Sequence, residues 1–196
     1  MSTTSTRYAL LGLLTLAPSS GASGYDLRQW AENSIGHFWR ESYGQIYPVL
    51  KQLLRDGLVT ARKDASSGKR DRTLYAVTDS GRKELQDWLE KPARLQPPRN
   101  EGLLKLFFGA QAPAASNAKR VRAVQQVHAG LLARYEALER EIGGKYADHP
   151  GLPYWLMTLD FGRRHSRMIC DWCDATLRKL EQIEAQSRIR KRKRPA

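Results

Sequence analysis

The amino-acid sequence predicts a mainly α-helical fold in two parts, with a single β-hairpin in the first. Three observations predict it. Residues 7–55 hold three apolar-striped segments separated by turn signals. A period-2 pattern on either side of Ser66-Ser67-Gly68 follows them directly. Residues 121–142 then place apolar side chains at alternating steps of three and four, the spacing of a helix that wraps around a partner.

Arg7–Leu16 reads as a short helix with Tyr8, Leu11 and Leu14 near one face, ended by Pro18 and Ser19-Ser20-Gly21. Ser23 suits an N-cap for a second helix through Asn33, and Asp26 three residues on suits its first turn. A third helix over about Ser42–Arg55 carries Ile46, Leu50, Leu53 and Leu54 as its stripe. Pro48 is awkward there, because an interior proline costs ~3 kcal/mol; the helix either starts near Gln45 or bends near Gly44. Gly57 caps it. Leu58–Lys63 and Thr73–Thr78 read as strands with a basic tip between them, and Asp79 or Ser80 starts a fourth helix with Leu85, Trp88 and Leu89 inward. Three helices followed by a β-hairpin is the order of a winged helix-turn-helix.

Pro92, Pro97 and Pro98 mark a boundary. The expected divisions are a head over 1–91, a linker with a short helix over 92–115, a helical domain over 116–188 and a disordered basic tail over 189–196. Val121, Val124, His128, Leu131, Tyr135 and Leu138 form an a/d seam that ends at Gly143-Gly144. A last long helix from about Tyr154 to Arg188 turns Ile169, Cys173, Leu177 and Leu180 inward. These two antiparallel long helices leave more apolar stripe than one copy covers, so the seam residues are expected to form a homodimer.

The composition narrows the function. The 196 residues are 41% hydrophobic and hold no run of apolar residues long enough for a membrane span. The N-terminal stretch does not read as a secretory signal, and two cysteines cannot build a disulfide framework, so a cytoplasmic location without membrane partners is expected. The net charge of +13 points to a polyanion. Six basic residues lie in the tail (Arg188, Arg190, Lys191, Arg192, Lys193 and Arg194), which leaves +7 elsewhere. Residues 1–91, with thirteen basic and ten acidic side chains, account for only +3. The head must therefore bind through placement rather than bulk charge.

A recognition helix reads base edges from its N-terminal end. That end is Ser42-Tyr43-Gly44-Gln45-Ile46-Tyr47. Gln45 can pair with adenine in the major groove, and Ser42, Tyr43 and Tyr47 offer hydroxyls, although either tyrosine equally suits the core. Lys51 reaches for a phosphate. Lys69, Arg70 and Arg72 at the hairpin suit the minor groove, and Ser23-Gly24-Tyr25 can present amides to a phosphate. An ordinary solvated turn is the alternative reading of the hairpin tip.

The head resembles the PadR family of bacterial regulators. The resemblance rests on Tyr8-Ala9-Leu10-Leu11-Gly12-Leu13-Leu14, on Ser23-Gly24-Tyr25-Asp26-Leu27, on Ser42-Tyr43-Gly44-Gln45-Ile46-Tyr47-Pro48 and on Tyr75-Ala76-Val77-Thr78-Asp79-Ser80-Gly81-Arg82. It covers nearly all of 7–90. The helical half resembles longer members by architecture. The resemblance implies a cytoplasmic homodimer on a palindromic operator, usually a repressor, in some members released by a small aromatic effector that binds between head and helical domain. It also implies tolerance of Pro48. Two features depart from the pattern: a first loop lengthened by Ser19–Ala22, and Lys69-Arg70-Asp71 after Gly68, where proline is common.

Other features carry less. Cys170-Asp171-Trp172-Cys173 is a CxxC, but it falls inside a helix, so two packed thiols are favoured over a redox switch. No histidine has ligand spacing, and no metal or other cofactor is expected. Aromatic residues cluster in the back half; Trp155 with Arg163 or Arg164 suits an aromatic effector bearing a carboxylate. The motifs of an enzyme are absent from the sequence. The rival reading is a winged helix used only for protein–protein contact, without an operator of its own.

Overall fold

The structure, a computed structural model, describes residues 3–36, 38–39, 43–64, 72–93 and 99–192. It divides into two compact units, Met1–Leu95 and Gln96–Ala196. Ser42, Lys69 and Arg70 lie outside the described residues, as does the side chain of Tyr43.

The first unit runs α1 (Thr3–Thr15), β1 (Ala22–Ser23), α2 (Gly24–Asn33), α3 (Tyr43–Arg55), β2 (Val59–Asp64), β3 (Arg72–Val77) and α4 (Asp79–Leu89). The sheet is antiparallel in the order β1-β3-β2, with Val59 opposite Val77 and Asp64 opposite Arg72. The short β1 was not anticipated: Ala22 and Ser23 pair with Tyr75 and Leu74 and extend the hairpin to three strands. This is a winged helix-turn-helix.

Local chemistry sets the boundaries. Ser23 caps α2 in a reciprocal box, its hydroxyl accepting from the Asp26 amide and its own amide donating to the Asp26 carboxylate. Helix α3 ends at Gly57 in a left-handed conformation (φ 70°), with the Leu58 amide reaching back to Leu53 O at 3.0 Å and the Gly57 amide to Leu54 O at 3.1 Å. That paired bonding satisfies the last carbonyls, and a β-carbon at Gly57 would be strained. For α4 the cap is Thr78, not Asp79 or Ser80: its hydroxyl accepts from the Gly81 amide at 3.1 Å.

The core of this unit is aliphatic. Leu10, Leu11 and Leu14 of α1 meet Leu27 of α2, Ile46, Val49, Leu50 and Leu53 of α3, and Leu58, Val59 and Tyr75 of the sheet. Each such side chain contributes ~1.5–3 kcal/mol through burial. The phase of α3 differs from expectation by one position: Val49 is buried, whereas Leu54 is 41% exposed. Pro48 does lie inside the helix. Its ring is on the exposed side, and the amide it lacks would have met the carbonyl of Gly44 in the first turn. In α4, Leu85 packs on the core, but Leu89 is exposed, and half-exposed Trp88 stacks flat on Tyr8 with ring centroids 4.6 Å apart.

The second unit holds α5 (Glu101–Phe107), a 3-10 turn at Gly109–Gln111, α6 (Ala114–Lys145) and α7 (Leu152–Arg192). Helix α6 continues through Gly143-Gly144 instead of stopping there. Two glycines cost about 1 kcal/mol each, which the packing of a long helix readily offsets. Helix α7 begins earlier and ends later than expected; its 41 residues span roughly 60 Å, and it takes in much of the tail expected to be disordered.

The α6–α7 joint corrects the expected dimer seam. Val121 and Ala118 pack on Cys173 and Leu180, with Val124, Ile169, Trp172 and Leu177 alongside. Tyr135 is buried with its ring against Gly162, and His128 Nδ1 lies 3.2 Å from the hydroxyl of buried Ser166. Leu131 and Leu138 are half-buried within the same chain. The a/d spacing did mark a helix–helix seam, but the partner helix of this seam is in cis. The apolar surface left over includes a second stripe on α7, where Tyr154, Met157, Phe161 and Met168 are between 53% and 69% exposed, and α5 with its flank, where Leu103, Leu104, Phe107 and Phe108 are between 50% and 82% exposed.

Candidate nucleic-acid interface

Helix α3 presents its interface by simple phase. With Ile46, Val49, Leu50 and Leu53 buried, the positions facing away from the core are Gly44, Pro48, Lys51 and Arg55, at steps of four, three and four. Gln45 and Gln52 flank this stripe on one side and Tyr47 on the other. All of these residues are exposed. Arg55 and Gln52 were missed in the sequence. The Arg55 guanidinium donates to Gln52 Oε1 at 2.6 Å, and Gln52 Nε2 donates to Asp56 at 2.6 Å. Beside the stripe, Arg7, Tyr8, Pro48, Gln52, Arg55 and Glu84 line an open groove between α1, α3 and α4.

Tyr47 is neither a core residue nor a free one. It is 55% exposed, yet its ring sits on the first residue of α2: a β-carbon at Gly24 would lie 2.7 Å from Tyr47 Cε1. Glycine leaves room for this approach, and the phenol sits at the junction of α2 and α3. Tyr25 is 56% exposed and accepts a hydrogen bond from Gln29 through its hydroxyl.

Two assigned contacts are corrected. Ser23 is buried and its hydroxyl is committed to Asp26. Arg72 does not project from the wing: its Nη2 lies 2.5 Å from both carboxylate oxygens of Asp26. Burial opposes the Asp26 charge, but the amide and hydroxyl of Ser23 and the Arg72 guanidinium outweigh it and hold the carboxyl below its usual range. This ion pair fastens the base of the wing to the start of α2. No spacing rule could reveal it, because 46 residues separate the partners.

In the helical unit the expected effector residues are occupied. Arg163 bridges Glu139 at 2.8 Å and Asp160 at 2.9 Å, and Arg164 reaches Asp160 at 2.6 Å. Trp155 stacks on His149 with centroids 4.6 Å apart and meets Tyr146 edge-on, closing the turn between α6 and α7. It lies two helical turns from Arg163. These residues do not form one site. The two thiols are free, and burial raises both of their pKa values, most directly opposing the thiolate a redox motif needs. Among the described residues no cluster of His, Cys, Asp or Glu could hold a metal ion, and no described helix is long and apolar enough to cross a membrane.

A winged helix-turn-helix with a polar, partly basic α3 face, followed by a long helical hairpin, defines a class of transcriptional regulators. Comparison with known proteins narrows it. Residues 10–87 match the model of the transcriptional regulator PadR-like family, and residues 98–181 match virulence activator alpha C-term. The negative transcriptional regulator PadR of Bacillus subtilis is 37% identical over 103 residues, which is 52% of this chain and 55% of that protein. The matched stretch thus spans about half of that relative. A Mycobacterium tuberculosis protein named "Probable transcriptional regulator Rv1176c" is 27% identical over 175 residues, 82% of this chain and 91% of that one. The crystal structure of Bacillus subtilis PadR in complex with operator DNA superposes with a TM-score of 0.75 at 25% identity, covering 89% of this chain and 98% of that one. Residues 10–87 of the chain thus carry a domain similar to those of the PadR-like transcriptional regulators.

Proposed function

We propose that the protein represses transcription by binding a palindromic operator as a homodimer through α3. The observation that carries this reading is the exposed stripe of α3. A helix entering the major groove needs short polar readers near its start and cations further along, and Gln45, Pro48, Lys51 and Arg55 follow that order. Gln45 suits adenine, the Pro48 ring suits a thymine methyl, and Lys51 and Arg55 suit phosphates. Tyr47 and Tyr25 add hydroxyls at the rim, and Tyr43 offers one by its place in the sequence. Of the amides opening α2, those of Ser23 and Asp26 are used in the cap, so a phosphate contact there falls to Gly24 and Tyr25. Ser42, Lys69 and Arg70 complete the surface by their place in the sequence.

The homodimer is supported by the outer stripe of α7. Tyr154, Met157 and Phe161 repeat at steps of three and four, and Met168 continues the same face seven residues on. A second copy covering that stripe places two heads about a two-fold axis, as a palindrome requires. A small aromatic effector belongs to the same reading. Bacillus subtilis PadR has been crystallised with p-coumaric acid. Here an effector would have to use groups other than the ion-paired Arg163 and Arg164.

The test is selection of bound sequences from random duplex DNA at about 150 mM salt, where non-specific charge binding is suppressed. A recovered palindrome that disappears with Gln45→Ala and Lys51→Ala is the expected outcome. No motif in any fraction removes the operator reading and favours a winged helix that contacts protein.

A further inference from the structure

Helix α5 carries more apolar surface than its own unit covers. Five of the eight residues at 101–108 are Leu or Phe. At 100° per residue, Leu106, Leu103, Phe107, Leu104 and Phe108 spread over an arc of roughly 200°, about twice the width of a stripe that faces a core. Only Leu106, at one edge of that arc, is half-buried. Leu103, Leu104 and Phe108 are between 50% and 59% exposed, and Phe107, at 82%, is the most exposed large apolar side chain among the described residues. Glu101 and Lys105 occupy the opposite side of the helix and pair with each other at 2.6 Å.

The helix is nonetheless fixed in place. The Asn100 side chain caps it, accepting from the Leu103 amide at 3.0 Å, and buried Asn117 of α6 donates to the Gly109 carbonyl at 2.9 Å. Both ties are polar. A helix of seven residues is too short to persist on propensity and needs an apolar face packed against something. The hairpin does not supply that packing, since no residue of α5 is buried. The outer stripe of α7 has the same deficit. At roughly 150–200 Å² for a large side chain, its four residues expose about 400–500 Å² together, and Leu103, Leu104, Phe107 and Phe108 expose about as much again. A stable protein–protein interface covers ~800 Å² on each partner. The α7 stripe alone falls short of that area, and the two patches together reach it. With Glu101 and Lys105 matched to each other, α5 brings no unmatched charge to such a contact.

We infer that α5 docks on a second copy of the chain and supplies about half of the apolar surface that joins the two copies. The inference rests on the homodimer reading and adds a contact to it. The ties to Asn100 and Asn117 hold α5 in one shape before the partner arrives, so little ordering entropy is lost on association. The partner in turn covers Phe107 and its neighbours and gives the short helix the packing it lacks.

The experiment measures self-association of the full chain by sedimentation over a concentration series, with and without Leu104→Gln and Phe107→Gln together. Glutamine keeps helix propensity, and far-UV circular dichroism checks the fold. The expected result is association weakened at least tenfold with helicity unchanged. Association equal within about twofold overturns the inference; if Met157→Glu with Phe161→Glu still abolishes pairing, the homodimer reading survives it. No self-association of the unaltered chain at any concentration removes both. Phe107→Cys gives a second measurement, which decides the matter should the glutamine variant lose helicity. Its thiol is modified with a neutral maleimide and followed on its own peptide, apart from Cys170 and Cys173. Modification should slow in step with association. A rate that stays constant while the copies associate overturns the inference: a fast one places α5 outside the contact, and a slow one shows that its own chain covers it.

Discussion

The two units bury their apolar residues in different ways. In the head, α1, α2, α3 and the sheet surround one aliphatic core from several directions, and Leu11, Leu27, Leu50 and Leu53 are fully inaccessible. In the hairpin, two long helices meet along one line, and polar groups share it: Ser166 and Asn117 are as buried as Val121. A line of contact protects one stripe per helix and no more. The head therefore gathers its largest aliphatic side chains into one core, whereas α7 keeps a second apolar stripe exposed on the hairpin. Reading and pairing are thus separated, and each can be broken without the other.

The largest effect is expected in the head core. Leu50→Ala should cost about 2–5 kcal/mol, because a convergent core cannot collapse onto the void. Leu177→Ala, half-buried in the hairpin seam, should cost less than half as much. Urea unfolding followed by hydrogen exchange in each unit checks both. Equal costs would mean that the seam is as tightly packed as the head, against the comparison.

Next comes the outer stripe. Phe161→Glu with Met157→Glu places charge on the face left bare and should weaken self-association at least 100-fold, about 3 kcal/mol. Sedimentation across a concentration series measures this. Cys173→Ser, in the seam, should instead lower stability and leave association in place. Reversal of those two outcomes would return the dimer contact to the seam.

A smaller effect concerns reading alone. Gly24→Ala pushes on the Tyr47 ring, which must move because the new β-carbon would stand 2.7 Å from it. Operator affinity should fall roughly tenfold, while the melting temperature moves by no more than about 2 °C, since the ring is largely exposed and can swing outward. Unchanged affinity would show that the position of Tyr47 does not matter to binding.

How much of this was legible in the sequence follows the range of the interactions. The three head helices, the turn at Gly57 and the hairpin were readable because Ser23, Asp26, Gly57 and the alternation around Tyr75 act over a few residues. The order of side chains on α3 was nearly readable; the exchange of Leu54 for Val49 is a rotation of one position, which propensity does not fix. The commitment of Arg72 to Asp26 was not readable, since the fold alone brings them together. Nor was the choice of partner for Val121 and Cys173. Heptad spacing states that a helix has a partner, not which chain supplies it.

The smallest expected effect is a pH dependence of the hairpin seam that the head core, whose described residues include no histidine, should lack. Burial and the neighbouring His165 ring, 5.6 Å away, hold the pKa of His128 below its usual value. The folded seam thus favours the neutral ring against Ser166, and the unfolded chain takes up the proton at higher pH. Stability is therefore complete above the ordinary histidine range of about 6.5 and declines as pH falls through it, levelling once the folded form is also protonated. Hydrogen exchange of α6 and α7 amides should accelerate between about pH 7.5 and 5.5 after correction for intrinsic rates, and amides of α1 and α3 should not. In His128→Gln, which keeps a hydrogen-bonding group towards Ser166, the difference between the two units should disappear. Its persistence there would show that the titration does not belong to His128.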